Sequence, residues 1–321
     1  VKAAALVLAL VALLPAAQGA PTASSAASPS AAPPLTVLVE HPHDGVDPFG
    51  VAAAGGGTGD PFAVRYGPLV ADKGRFDFPF FVADGVLPIE SLPDPGRPYI
   101  ATRDAYAQSI ATRGREEAPA VLRLESRTTG DQAVVQAEAT PRSPLTGEDL
   151  HLWFAVAEDS IHYQPPPGLT NGVTEHRFTL RAIADMGVLD LSAPANASHT
   201  FAIDPSWSRD HLSVAAWLQQ DAPSSRFDAR EVVQATHTSL GSAVVQDAKG
   251  VLVEEYSATW CEPCLYGDRA VEDLAVSYGI AQPSSGHPSS RYLEWTPRDA
   301  LPVAASLALG VAVVAATRRR A

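Results

Sequence analysis

Val251-Leu252-Val253-Glu254-Glu255-Tyr256-Ser257-Ala258-Thr259-Trp260-Cys261-Glu262-Pro263-Cys264 is the stretch that decides how this chain folds. It opens as a short apolar run, and residues 250–256 read as a strand. Residues 262–278 then read as a helix. Val271, Leu274, Ala275 and Tyr278 fall on one stripe, and Gly279 supplies a C-terminal stop. The chain has two cysteines, and both lie in this Cys-x-x-Cys. A structural disulfide framework spreads its cysteines along a chain. A zinc site needs four ligands, and the motif supplies two.

Together these features resemble the active-site segment of the thioredoxin family. The match comprises a hydrophobic strand, an acid six residues before the first cysteine, the Ala-x-Trp-Cys approach, and proline before the second cysteine. The resemblance implies a redox-active Cys261–Cys264 disulfide with no other bound cofactor and no metal. Cys261, at the start of a helix, gains thiolate stability from unpaired N–H groups and the helix dipole. It attacks a partner disulfide, and Cys264, one turn on, resolves the mixed disulfide. Pro263 fits the first turn, where its missing N–H costs little. Trp260 covers the sulfurs and faces a partner, or is a plain core aromatic. Glu255 matches the buried acid that helps move the proton of the resolving cysteine in this family. Burial raises the pKa of such an acid and suits it to general acid/base work; a structural carboxylate is the alternative. Glu254 should point the opposite way and reach solvent. Glu262, between the cysteines, disfavours the Cys261 thiolate and moves the pair toward the reducing end.

Few residues follow the motif before a second apolar run begins at Leu301, too few to complete a thioredoxin fold. The missing parts stand earlier, in family order. Residues 35–40 (LTVLVE) read as the next strand, with a crossing near residues 60–67. Phe78-Pro79-Phe80-Phe81-Val82-Ala83-Asp84-Gly85 resembles the strand after the family's cis proline, which places Pro79 against Cys261. Residues 102–113 read as the closing helix, with Tyr106 and Ile110 on one face. Between these halves, residues 119–127, 132–139, 150–157, 175–183, 198–204, 211–219 and 231–238 alternate as half-buried strands and suggest an immunoglobulin-like β-sandwich. The arrangement resembles thioredoxin-like outer-membrane proteins with a trailing β-sandwich. The expected fold class is therefore an α/β thioredoxin-like fold, circularly permuted, with an inserted all-β sandwich and a C-terminal transmembrane helix. The expected thioredoxin-like parts are residues 35–116 and 249–280, and the sandwich is residues 117–248.

The flanks read as export and anchoring. Residues 3–17 are apolar behind Lys2, and residues 1–19 read as a signal peptide. Residues 20–34 and 281–300 are Pro-, Ser- and Ala-rich linkers. Residues 301–317 carry no charge and read as a membrane anchor, with Arg318–Arg320 in a cytoplasmic tail, residues 318–321. The run could instead be a sorting tail that is cleaved and replaced. The main domain would then lie outside the cytoplasm, anchored in the cytoplasmic membrane by its C-terminus. A net charge of −13 argues against nucleic acid as a partner. His41, His43, Asp44 and Asp47 match no standard zinc or calcium spacing and read as a loop near the active site. Asn196-Ala197-Ser198 fits an N-glycosylation acceptor. The sequence thus points to a membrane-anchored thiol–disulfide oxidoreductase acting on protein thiols or disulfides, or on a redox partner protein. The alternative is a surface binding or adhesion protein in which the sandwich works and the disulfide is structural.

Overall fold

The structure is a computed structural model and describes residues 33–40, 52–54, 80–90, 98–163, 172–258, 261 and 263–280. Strands take up 47% of it and helices 17%. The elements that frame the site are β1 (Leu35–Glu40), β2 (Ala52–Ala54), β3 (Phe80–Ala83), β4 (Leu87–Glu90), helix α1 (Pro98–Arg113), β15 (Val251–Tyr256) and helix α2 (Cys264–Ser277). Between α1 and β15 run β5 (Ala120–Thr129), β6 (Gln132–Pro141), β7 (Leu150–Glu158), β8 (Ile161–His162), β9 (Glu175–His176), β10 (Thr179–Val188), β11 (Ala195–Ala202), β12 (Leu212–Gln220), β13 (Val232–Ser239) and β14 (Ala243–Gln246).

A nine-stranded sheet runs β13-β12-β7-β10-β1-β15-β3-β4, with β2 added beside β10. A four-stranded sheet, β11-β6-β5-β14, packs against part of it. The period-2 pattern explains that packing. Leu122 and Leu124 of β5, Val135 and Ala137 of β6, and Leu152, Phe154 and Val156 of β7 all turn into one core. Beyond β10 the large sheet changes its cover. Leu35, Val37 and Val39 of β1 and Val251 and Val253 of β15 meet Tyr106 and Ile110 of α1 and Val271, Leu274 and Ala275 of α2. Phe81 stacks on Tyr106 with ring centroids 3.7 Å apart.

This overturns the expected fold class. The chain does not form an α/β thioredoxin-like fold, circularly permuted around an inserted sandwich. It is mostly β, and its two halves are not separate sheets. β1 pairs in parallel with β15 along its whole length, so the two strand readings at residues 35–40 and 250–256 meet in one sheet. Its other edge is hydrogen-bonded to β10, so the sheet continues into the strands read as the sandwich. The physical reason is that an apolar central strand needs a backbone partner on both edges. β10 supplies the one that sequence periodicity does not reveal. The transmembrane helix is likewise not found. No helix among the described residues is long and apolar enough to cross a membrane, and residues 301–317 lie outside the described residues.

The large sheet also curls, bringing β13 against the start of β15. A side chain at Gly250 would meet the Ala235 carbonyl oxygen at 2.0 Å, so only glycine allows this approach. Gln234 stitches the contact: its Oε1 accepts from Gly250 N at 2.8 Å, and its Nε2 donates to the Ala120 and Ala248 carbonyls at 3.1 Å each. Beside it lies a buried ionic cluster. Asp84 accepts from Lys249 Nζ at 2.6 Å, from Arg113 Nε at 3.2 Å and from Leu252 N at 2.7 Å. Lys249 also donates to the Val232 carbonyl at 3.0 Å, and Arg113 pairs with Glu231 at 2.8 Å. The cluster therefore ties the β3–β4 turn, α1, β13 and β15 together.

Candidate active site

β15 lies between β1 and β3 and is buried on both faces, so its two acids leave water in opposite directions. Glu255 shares the face of Val251 and Val253 and points to the helices. Glu254 shares the face of Leu252. It does not reach solvent as the alternation suggested, for it is 4% exposed. The sequence pattern placed the two side chains on opposite faces correctly, but the curled sheet covers the second face as well.

After Tyr256 the chain turns toward α2. Cys261 N donates to the Ala258 carbonyl at 3.1 Å, and α2 begins at Cys264. Cys261 and Cys264 are joined in a disulfide, with Cα atoms 5.3 Å apart. The helix starts three residues later than Cys261, so the first cysteine lies just ahead of it rather than in its first turn. Its sulfur is nonetheless held by the helix N-terminus: Cys264 N lies 3.3 Å from Cys261 Sγ. On reduction the same N–H is placed to donate to a Cys261 thiolate, a charge-assisted bond that favours the anion. Pro263, at φ −65°, immediately precedes the helix and surrenders no needed donor. Cys261 is 5% exposed and Cys264 is fully buried.

Glu255 is fully buried, and neither carboxyl oxygen has a hydrogen-bond partner among the described residues. Burial pushes its pKa well above the usual carboxylate range, and the charge of Asp268 pushes it further. Burial therefore favours the protonated form of this acid. Tyr106 of α1 is buried too, and burial, then Glu255 and Asp268, raise its pKa well above the phenol value. Asp268 lies four residues after Cys264 on α2, one turn along the same face, roughly 6 Å of helix rise. Its carboxylate accepts from Ser257 Oγ at 2.6 Å. The arrangement offers a dithiol–disulfide pair at a helix N-terminus and a buried acid, its protonated form favoured, on the strand face that the helices cover.

Of the residues singled out from sequence, the structure brings together Cys261, Cys264 and Pro263 at the start of α2, and it sets Glu255 on the helix-facing side of β15. Pro79, Trp260 and Glu262, and the loop carrying His41, His43, Asp44 and Asp47, lie outside the described residues. β3 does lie beside β15, with Phe80 opposite Tyr256. Ser257, Asp268 and Tyr106 were not singled out as site residues. Asp268 carried a readable signal, because i+4 spacing puts it on the face of Cys264. Tyr106 carried none, since only tertiary packing brings α1 to β15. Elsewhere, Asp149, His151 and Asp221 lie close enough to share a cation, but Asp221 is paired with Arg230.

No family model and no curated protein matches the chain. Among solved structures, HBP35 of Porphyromonas gingivalis is similar at 20% identity with a TM-score of 0.34. The match covers 43% of this chain and 46% of that one, so this chain spans less than half the length of HBP35. A domain of the outer membrane lipoprotein Omp28 from the same organism is similar at 15% identity with a TM-score of 0.22. That match covers 38% of this chain and 94% of the domain.

Proposed function

We propose that the chain is a thiol–disulfide oxidoreductase working outside the cytoplasm, with Cys261 as the attacking thiol and Cys264 as the resolving one. The observation that carries this reading is the disulfide at the N-terminus of α2 together with a buried Glu255 on the helix-facing side of β15 whose carboxyl has no hydrogen-bond partner among the described residues. A disulfide that only stapled the helix start would not require such an acid. Leaving a buried polar group unsatisfied costs about 1–3 kcal/mol. The cost is understandable where the acid must hold a proton and release it to a leaving thiolate. The apolar leader at residues 3–17 supports an oxidising compartment, where disulfides persist. The substrates are protein thiols or disulfides, and the cysteine pair is the only redox group the reaction needs.

The reading is tested by the rate at which dithiothreitol reduces insulin in the presence of the full chain. The wild type should accelerate reduction, and Cys261→Ser should abolish the acceleration. Cys264→Ser should accumulate a mixed disulfide through Cys261. A wild type no faster than Cys261→Ser would make the pair a structural staple.

A further inference from the structure

We infer that Asp268 relays protons between solvent and the buried Glu255 during exchange at Cys261–Cys264, an inference that rests on the redox reading above. Glu255 is sealed from water and must regain its proton through a neighbour. On its own sheet its register partners are Val39 of β1 and Phe81 of β3, neither of which can carry one. The ionisable groups whose fields meet at Glu255 from the helices are Tyr106 of α1 and Asp268 of α2. Tyr106 is itself buried and keeps its proton tightly. Asp268 is half-buried. It also lines a crevice of about 20 Å³, space for roughly one water. The other ionisable groups facing that crevice are Glu175, His176, Arg177, Arg269 and Glu272. Arg177 is held by Asp159 through bonds of 2.6 and 2.7 Å, and Arg269 lies 3.5 Å from Glu272. Ser257, two residues beyond Glu255 in the chain, holds the Asp268 carboxylate at 2.6 Å, and Val39, the register partner of Glu255, lines the same crevice as Asp268, so the geometry sets Asp268 between that crevice and the Glu255 end of β15.

The step balances as follows. A thiolate of a partner dithiol attacks Cys261 Sγ, the Cys261–Cys264 bond breaks, and the electron pair leaves on Cys264 Sγ. That sulfur takes the proton of Glu255. The second thiolate of the partner then attacks the partner sulfur of the mixed disulfide and expels Cys261 Sγ. The partner ends as a disulfide, oxidised by two electrons, and this chain as the Cys264 thiol and the Cys261 thiolate, which the Cys264 N–H stabilises. Glu255, left as a carboxylate, takes a proton from solvent through Asp268. When a substrate disulfide reoxidises the chain, the Cys264 proton leaves through Glu255 and the same path runs outward.

The test is the pH profile of dithiothreitol-driven turnover by the full chain on a disulfide peptide, with rates corrected for the thiolate fraction of the reagent. Asp268→Asn should slow turnover about tenfold, within the range of general acid–base effects, and move the inflection of Glu255 to lower pH. Asp268→Glu should restore both. Ser257→Ala, which keeps the carboxylate but removes its 2.6 Å bond to Ser257, should slow turnover less, by about threefold. Glu255→Gln should remove the inflection altogether. Wild-type rates and profile in Asp268→Asn, with Glu255→Gln still altered, would overturn the relay and leave the redox reading standing. If Asp268→Asn does not fold, an unchanged Ser257→Ala overturns the relay. If Glu255→Gln also matches the wild type, the role of Glu255 falls and the relay falls with it.

Discussion

Glu255 links stability to chemistry through one proton. Its native pKa lies above the value it has in the unfolded chain. Its contribution to stability is then fully present below the unfolded carboxylate range and is lost as pH rises toward the native value. Glu255→Gln removes that loss. The variant should gain stability relative to the wild type by up to about 1.4 kcal/mol per pH unit above roughly pH 4.5. Urea unfolding of the oxidised proteins, about two pH units apart, measures the difference; a gap that does not widen with pH contradicts a protonated Glu255. The cysteines differ in access at the same scale. Cys264 is sealed, whereas Cys261 retains slight exposure and accepts the first helical N–H. Limiting iodoacetamide added to the reduced protein should label Cys261 first, as read by peptide mass, and dominant labelling of Cys264 would reverse the assigned roles. Gly85 is a third case. Its φ is +74°, and a Cβ would lie 1.8 Å from the Arg230 carbonyl oxygen. Gly85→Ala should destabilise by at least about 1–3 kcal/mol, measurable as a lowered urea midpoint.

At the scale of elements, β15 unites the fold and the site. One face builds the helix-covered core and ends in Glu255, and the other joins Leu38, Trp217 and Ala235 inside the curl of the sheet. Its N-terminal end is fixed by Asp84, whose carboxylate takes Leu252 N as well as Lys249 and Arg113. Truncating Asp84 takes the carboxylate from buried Lys249, removes one of the three acids around Arg113, and leaves one strand amide without its acceptor. Breaking a buried pair this way costs about 3–5 kcal/mol, and Asp84→Ala should lose about that much in urea unfolding. A loss below about 1 kcal/mol would show that water replaces the carboxylate and that the cluster does not hold the turn to β15. Replacing Lys249 with Met is a milder test, since its apolar stem can still pack while Arg113 continues to balance Asp84.

For the molecule as a whole, one sheet runs from β13 to β4, with both helices on one part and the small sheet on another. Strands joined by a continuous ladder should open together. Hydrogen exchange of the full chain should give amides of β1 and β15 opening free energies close to those of β10 and β12. Markedly earlier exchange in β1 and β15 would reveal two independent units. Much of this was legible from local pattern. Each of the seven alternating segments between residues 119 and 238 contains a strand, because a half-buried strand writes its period of two directly into sequence. The helices at residues 98–113 and 264–277 follow from their apolar stripes, and the pairing of residues 35–40 with 251–256 follows from two apolar strands that need partners. β14 was not read, for four residues with one buried side chain carry too little pattern. Nor could alternation show that β1 would take β10 on its free edge, since backbone hydrogen bonds are made by every residue type alike. That one pairing turned an expected α/β unit beside a sandwich into a single β-rich sheet. The sequence alone determined the chemical inventory: two cysteines three apart before a helix, and an acid on the strand ahead of them. Only the tertiary structure decided that Glu254 is buried, that Asp84 is met by Lys249 and Arg113, that Ser257 binds Asp268, and that Tyr106 packs against the Val251 and Val253 face of β15. Those relations join residues far apart in the chain, and long-range packing sets them where local periodicity cannot.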